Sequence, residues 1–560
     1  RQARGATSTP TSAAVIHYNG VAVIATSPLL SHRCIEFLPT FVGAFLLPFF
    51  GRLVAMDAHK EEVARISERV QAFQRSSTAF RIYHGSTLST RESARQRDSI
   101  IDTSRLNHVI GFNTQEKTVL VEPNVPMDAL VDATLREGLV PKVVMELPNI
   151  TVGGGFAGTS GESSSFRFGL FDRSMRGIEV VLGNGEIVWA TSDREDPHRD
   201  LFFACAGSCG TLGVVTLLEM ELIDAQPYVE LEYKAVTSVK EAVDVLQEAE
   251  QDSRVDYIDG ILYSMTSGVI MIGRLQAEPI EDRVRSFDKP SDPWFYLDAE
   301  QILKCIERGG KSYKQSIPIK SYFFRYDRGV FWGGGIAFKY FCVPFLDLTR
   351  RLLDPYMYSR TMIHALHRSG ISSQAIIQDL GVPYESAASF IKWTGEKTGF
   401  WPLWLCPVKP PPRDECSFSM ANVDPDKTVL DVGIWGMGPR DPRRFVALNR
   451  EFEAKVAELG GIKCLYAHAY YTEDEFWRIY DAEKYTGLRR KYHAGSLPSI
   501  YDKVKVDLQG VAGPRSVRKQ ETWGEWTSRN FWRTWPFGGL YGVASATKGL
   551  VIQSDFLLKK

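Results

Sequence analysis

Residues 151–169 read Thr-Val-Gly-Gly-Gly-Phe-Ala-Gly-Thr-Ser-Gly-Glu-Ser-Ser-Ser-Phe-Arg-Phe-Gly, six glycines and six hydroxyl residues in nineteen positions. Glycine admits positive φ and lets the backbone come close to a ligand. Successive N–H groups and hydroxyls can then line a concave anion site. The composition reads as a phosphate cradle. A second glycine turn, Gly207-Ser-Cys-Gly-Thr-Leu-Gly213, follows further along the chain. The spacing Gly153-x-Gly155-x-x-Gly158 matches the dinucleotide fingerprint formally. No strand leads straight into it and Pro148 stands just before it, so the match reads as coincidence.

Regular elements must hold these turns. Val63, Ile66, Val70 and Phe73 recur at helical steps among charges. Residues 80–83 read as a strand leading into a polar turn at 84–90, and 118–122 as a further strand. Pro126 opens a helix that runs to Gly138. Apolar runs at 178–182 and 186–190 flank Asn184-Gly185, a hairpin signal. Residues 199–206 read as a short helix and 214–223 as a strand. Beyond residue 226 strands and helices mix, and most of the tryptophans lie there.

The chain has 560 residues, enough for two or three domains. Lys plus Arg (66) balances Asp plus Glu (67), which gives no electrostatic reason to expect nucleic acid. The eight cysteines include one close pair, Cys205 and Cys209, with no second pair to complete a zinc site. They read as reduced thiols, and no metal is expected. The sequon Asn149-Ile150-Thr151 lies in the glycine-rich stretch, where a glycan would block the cradle. It therefore reads as a chance match on a cytosolic face. Glu36 and Arg52 bracket fifteen uncharged, mainly apolar residues. With its flanks this segment is just long enough to span a bilayer, although Pro39 and Pro48 would kink it. A single anchor, an in-plane segment and a buried helix are all open on this reading.

The ordered series Glu146-Leu-Pro, Thr151-Val-Gly-Gly, Glu162-Ser-Ser-Ser, Phe168-Gly-Leu-Phe, Asp200-Leu-Phe and Ser208-Cys-Gly-Thr-Leu-Gly resembles the FAD-binding domain of the vanillyl-alcohol-oxidase, or PCMH, type. More narrowly it resembles the Δ24-sterol reductases. That likeness continues through Tyr322-x-x-Arg325, Val330-Phe-Trp, Pro402-x-Trp-Leu-Cys-Pro, Leu465-Tyr-Ala, Glu475-Phe-Trp and Tyr501-Asp-Lys. The resemblance implies an α+β fold: a two-subdomain PCMH-type FAD domain, a larger mixed α/β substrate domain with an antiparallel sheet, and an N-terminal membrane anchor. The implied division is a poorly structured 1–33, an anchor at 34–56, the FAD domain at 58–226, the substrate domain at 227–506 and a tail at 507–560. It also implies the endoplasmic reticulum membrane, with the catalytic part facing cytosol.

By the same resemblance, Thr151, Val152, Gly153, Gly154, Gly158, Thr159, Ser160, Ser163 and Ser164 hold the diphosphate of FAD. Tyr83, His84, Gly85, Ser86, Thr87 and Leu88 approach it from the other side. Gly213, Val214 and Val215 meet the ring edges through backbone groups. The context of His84 does not match a covalent attachment motif, so non-covalent FAD is expected, reloaded by NADPH. An isolated trisubstituted alkene is not electrophilic, so its reduction needs a positioned acid and stabilisation of cationic character. Glu475, Tyr470 and His468 are the candidate acids. A Glu buried among aromatics would hold a proton at neutral pH. The alternative for Glu475, in Thr472-Glu-Asp-Glu475, is an acidic helix start. Arg325 would pair with a cofactor phosphate or form a surface salt bridge. Two other functions stay open: an FAD-linked oxidase or dehydrogenase of an alcohol or hydroxy acid, and a non-catalytic membrane scaffold.

Overall fold

The computed structural model describes residues 14–18, 21–25, 40–85, 88, 95–310, 312–369, 371–415, 417–420, 423–506, 536–552 and 558–559. It divides into two units, Arg1–Ala58 and His59–Lys560. The first contains two short antiparallel strands, Ala14–Tyr18 and Val21–Ala25. Residues 34–39 of the expected anchor lie outside the described residues, and residues 40–56 open the helix Thr40–Arg75. Among the described residues no helix is long and apolar enough to cross a membrane. Ser86, Thr87 and most of the expected tail also lie outside the described residues.

The second unit is built on two antiparallel sheets. In the first, the strands run in the order Ile187–Thr191, Met175–Val181, Val214–Asp224, Thr118–Val121, Val109–Asn113, and Leu139–Pro141 pairs with the far end of Val214–Asp224. The predicted hairpin is present: Ile187 pairs with Val181, and Gly185 turns at φ 86°, where L side chains are strained. The predicted helix after Pro126 is Met127–Arg136, with Pro126 as its extended N-cap.

The second sheet has eight strands in the order Tyr313–Pro318, Tyr228–Val236, Ser267–Gln276, Tyr257–Ser264, Leu403–Val408, Val429–Met437, Ala375–Pro383, Ile462–Lys463. Its pairings are antiparallel throughout. Side chains alternate between faces. Ile376, Leu380, Leu403, Leu405, Leu430, Val432 and Ile434 point to one face, where they share a core with Ala242, Leu246, Phe390, Ile391, Phe452 and Val456 of three helices. Those helices are Val239–Glu250, Tyr384–Thr398 and Pro442–Glu458. The alternate residues, Ile377, Asp379, Trp404, Asp431 and Trp435, face the other way, into a cleft shared with the first sheet's loops.

The boundary expected near residue 226 is a seam inside one continuous core. Val121, Phe156 and Leu218 from one side of it share that core with Leu231, Phe331 and Trp404 from the other. The segment after Cys464 then returns to the second glycine turn. The Tyr485 hydroxyl meets Thr211 Oγ1 at 2.8 Å, Arg489 donates to the Thr211 carbonyl at 2.8 Å, and Lys503 donates to the Cys209 carbonyl.

Candidate active site

The glycine-rich stretch is not an open loop. Val152–Gly158 is a short helix whose N-cap, Thr151, accepts from the Gly154 N–H at 3.1 Å. The Gly153 N–H donates to the Pro123 carbonyl at 2.7 Å. These two amides are therefore spent inside the protein, contrary to the expectation of successive free donors. The helix forms despite its glycines because tertiary packing overrides propensity. A Cβ on Gly153 would lie 2.6 Å from Pro123 Cβ, and one on Gly155 would lie 2.4 Å from Met145 Sδ. Only residues without side chains allow this close seating. Gly158 differs: a Cβ there would meet nothing within 4 Å, and the residue opens onto the cleft.

The cleft has a volume of about 480 Å³, within the range of small-molecule sites. Of the expected cofactor residues, His84, Leu88, Thr151, Gly153, Gly154, Gly158, Thr159, Ser160, Gly213 and Val215 line it. Arg81, Lys503 and Lys505 add positive charge to the same wall. Tyr83, Val152 and Val214 are buried in the core instead. Gly85 is not on the wall. Ser163 and Ser164 face inward, so their expected role toward the diphosphate is corrected. The Ser164 hydroxyl donates to the Lys142 carbonyl at 2.9 Å, and Ser163 Oγ meets the Tyr322 hydroxyl at 3.2 Å. Both hydroxyls satisfy buried groups that would otherwise lack partners. A glycine-lined wall, hydroxyls and nearby cations together fit a large anionic cofactor.

The expected acids do not reach the cleft. Glu475 completes a capping box with Thr472 at the start of the helix Glu473–Ile479. It also pairs with Arg450 at 2.9 Å, and that hydrogen bond with the Thr472 amide holds its carboxyl down to about 2. This is the opposite of a proton-holding Glu. The chain turns between Cys464 and Ala467. Cys464 and Tyr466 consequently line the cleft, while His468 and Tyr470 line a separate small pocket with Leu366 and Gln378. Arg325 is neither on a phosphate nor on the surface. It is buried, donating to Asp259 Oδ2 at 2.9 Å with its guanidinium 4.1 Å from the Tyr322 ring centroid. The same Asp259 oxygen accepts from Tyr326 at 2.7 Å and from Trp404 Nε1 at 3.1 Å. This buried network fixes the Trp404 ring at the cleft. Phe331 lines the cleft in the left-handed region at φ 57° and stacks on Tyr326 at 4.2 Å.

The acidic groups that do reach the cleft are Glu146, Asp379, Asp431 and Asp502, the last of which accepts from Lys505 at 2.6 Å. Asp379 pairs across the sheet with Gly433, and Asp431 with Gly381. The two carboxyls are thus diagonal neighbours on one face. Burial pushes Asp379 up to about 7, against a hydrogen bond from Tyr466 and with the help of Glu146. Burial raises Asp431 well above its ordinary range, and Asp379 and Glu146 add to it. Glu162 sits just behind, fully buried and also raised, first by burial and then by Glu146, whose N–H it accepts at 3.0 Å. Sequence reasoning passed over Asp379 and Asp431. Each is a lone carboxylate in a mainly apolar strand, Ile-Ile-Gln-Asp-Leu-Gly-Val-Pro and Val-Leu-Asp-Val-Gly-Ile-Trp, and that is the signal that could have found them.

The FAD binding domain family matches residues 54–191, the segment that carries the glycine wall. The human Delta(24)-sterol reductase is 29% identical over 419 residues, covering 71% of this chain and 76% of the relative. The Arabidopsis thaliana Delta(24)-sterol reductase is 29% identical over 463 residues, covering 76% and 80%. The Caenorhabditis elegans Delta(24)-sterol reductase homolog is 26% identical over 530 residues, covering 85% and 97%. The chain contains an FAD binding domain and is similar to the Delta(24)-sterol reductases over most of its length.

Proposed function

We propose that this protein reduces the Δ24 double bond of a sterol side chain, using FAD and NADPH. The observation that carries the reading is the continuity of one cleft. A glycine-lined wall suited to the cofactor faces an aromatic and carboxyl-lined wall suited to an apolar alkene. FAD, when bound, supplies hydride transfer, and NADPH reloads it. The chain's own residues have to do the rest. Phe331, Trp404 and Trp435 offer apolar surface to a hydrocarbon side chain. Their ring faces also favour cationic character as the alkene is protonated. The buried carboxyls with raised proton affinity suit donation of a proton to carbon. Oxidation of an alcohol would instead call for a base that is free of its proton.

The proposal includes attachment to the endoplasmic reticulum membrane through residues 34–56, since a sterol partitions into lipid. The decisive experiment incubates the purified, flavin-loaded protein with a Δ24 sterol and NADPH and identifies the product by mass. Gain of H₂ in the side chain is expected. Bleaching of the flavin by an alcohol, with no change in the sterol, would sink the reading in favour of an alcohol dehydrogenase.

A further inference from the structure

We infer that Asp431 is the acid that protonates the substrate double bond, with Asp379 as the neighbouring carboxylate that keeps it protonated. This rests on the reductase reading above. Asp431 is 6% exposed, lines the cleft, and its Oδ1 has no hydrogen-bond partner. An ionised carboxylate with an unpartnered buried oxygen would bear the full cost of lost hydration. Protonated, the same group is neutral and carries no such cost. The surroundings enforce that state. Asp379 lies on the same face of the neighbouring strand, and Glu146 lines the same cleft. Like charges so placed cannot all ionise.

The proton's seat within the pair follows from the hydrogen bonds. The Tyr466 hydroxyl donates to Asp379, which favours Asp379 as the anion. Asp431 has no such donor at Oδ1, so its carboxyl keeps the proton. Gly433 keeps the two carboxyls in view of the cleft. A Cβ at that position would lie 3.2 Å from Trp404 Cβ and 3.3 Å from Asp379 Oδ1. Tyr466 is also a donor in the cleft, but its O–H is already engaged by Asp379.

The O–H bond of Asp431 breaks, and its proton forms a C–H bond at the less substituted alkene carbon with the π electron pair. The tertiary carbon, left positive against the Trp404 and Trp435 faces, is quenched by the hydride equivalent that NADPH brings. Asp431, now ionised beside Asp379, is reprotonated from solvent. Each turnover therefore consumes one proton and one hydride.

The test compares wild type, Asp431→Asn and Asp379→Asn, all loaded with FAD. Asp431→Asn should bind flavin and be bleached by NADPH at the wild-type rate. Its reoxidation by a Δ24 sterol in a single turnover should slow by about 100-fold or more, the usual contribution of a general acid. Infrared difference spectra at neutral pH supply a readout without turnover. Wild type should show a protonated-carboxyl band that Asp431→Asn lacks. In Asp379→Asn the band should weaken at neutral pH, because the neighbouring charge is gone; this arm needs no folded Asp431 variant. Wild-type reoxidation in Asp431→Asn, or a carboxyl band unaltered by either substitution, would overturn the assignment. A wild-type protein with the band but with no reduction of any Δ24 sterol would overturn the reductase reading and leave the proton on Asp431.

Discussion

Gly158 separates a packing defect from a cofactor defect. A colourless variant at Gly153 would not locate the cofactor. Even an added methyl there would sit 2.6 Å from Pro123 Cβ and 3.0 Å from the Pro123 carbonyl oxygen, so backbone has to move. Overpacking of this kind costs about 1–3 kcal/mol, and Gly153→Ala should lose stability and FAD together. At Gly158 the added Cβ meets nothing within 4 Å, and the residue is not among those with positive φ. Gly158→Ala should therefore stabilise the apoprotein by about 0.4–1 kcal/mol, because the unfolded chain loses freedom. Gly158→Leu keeps the helix and pushes an isobutyl group into the cleft. If that displaces one charge-assisted hydrogen bond to the diphosphate, the loss is about 1.5–3 kcal/mol, or roughly ten- to a hundredfold in FAD affinity.

The assay has two arms on the same preparations. Urea unfolding of the apoprotein measures the packing effect, and flavin titration measures affinity. Opposite signs are expected at Gly158 and a common sign at Gly153. Full FAD affinity in Gly158→Leu would refute the placement of the cofactor along this wall.

Three further substitutions address the rest of the site. Glu475→Ala removes a capping partner and an ion pair, so it should cost about 1 kcal/mol in unfolding and leave turnover nearly unchanged; a large loss of sterol turnover with normal stability would restore Glu475 as the acid. Arg325→Met strands the buried Asp259 carboxylate and should cost about 3–5 kcal/mol in urea unfolding, and a cost below about 1 kcal/mol would contradict the buried pairing. Asp379, with its pKa raised from 3.8 to about 7 by burial, binds its proton more tightly folded than unfolded. Its contribution to stability is thus complete below about 3.8 and is lost as the pH rises through about 7. Melting temperatures should then fall less between pH 5.5 and pH 8 in Asp379→Asn than in wild type; an equal fall in both would show that another group governs the pH dependence.

Local chemistry was legible in the sequence, and non-local register was not. Asn184-Gly185 announces its hairpin because the turn type needs φ > 0, and Thr472-Glu-Asp-Glu475 announces a helix start because acidic residues favour the first turn. The glycine-rich stretch announces a ligand wall but not its helix. Three successive glycines have poor helix propensity, and what makes them helical is the proximity of Pro123, Met145 and Phe171. The acidic pair is the extreme case. Asp379 and Asp431 stand 52 positions apart in the numbering and meet only because two strands pair in one particular register. A one-residue slip would turn either carboxyl into the apolar layer against the helices.

That register also explains why cofactor and acid should fail together under some perturbations and separately under others. The acid wall belongs to central strands buried on both faces, so its geometry is set by the sheet. The cofactor wall belongs to loops of the other sheet. The segment that follows Cys464 spans the two, giving Tyr466 to Asp379 and then Tyr485, Arg489 and Lys503 to the second glycine turn. Removing Tyr466 changes only the proton's seat. Loosening Tyr485 or Arg489 frees the strap that keeps the two walls facing one another, and that must lower cofactor affinity and proton transfer at once. A site whose acid and cofactor are held by one returning segment thus tolerates change within either wall better than change in the strap.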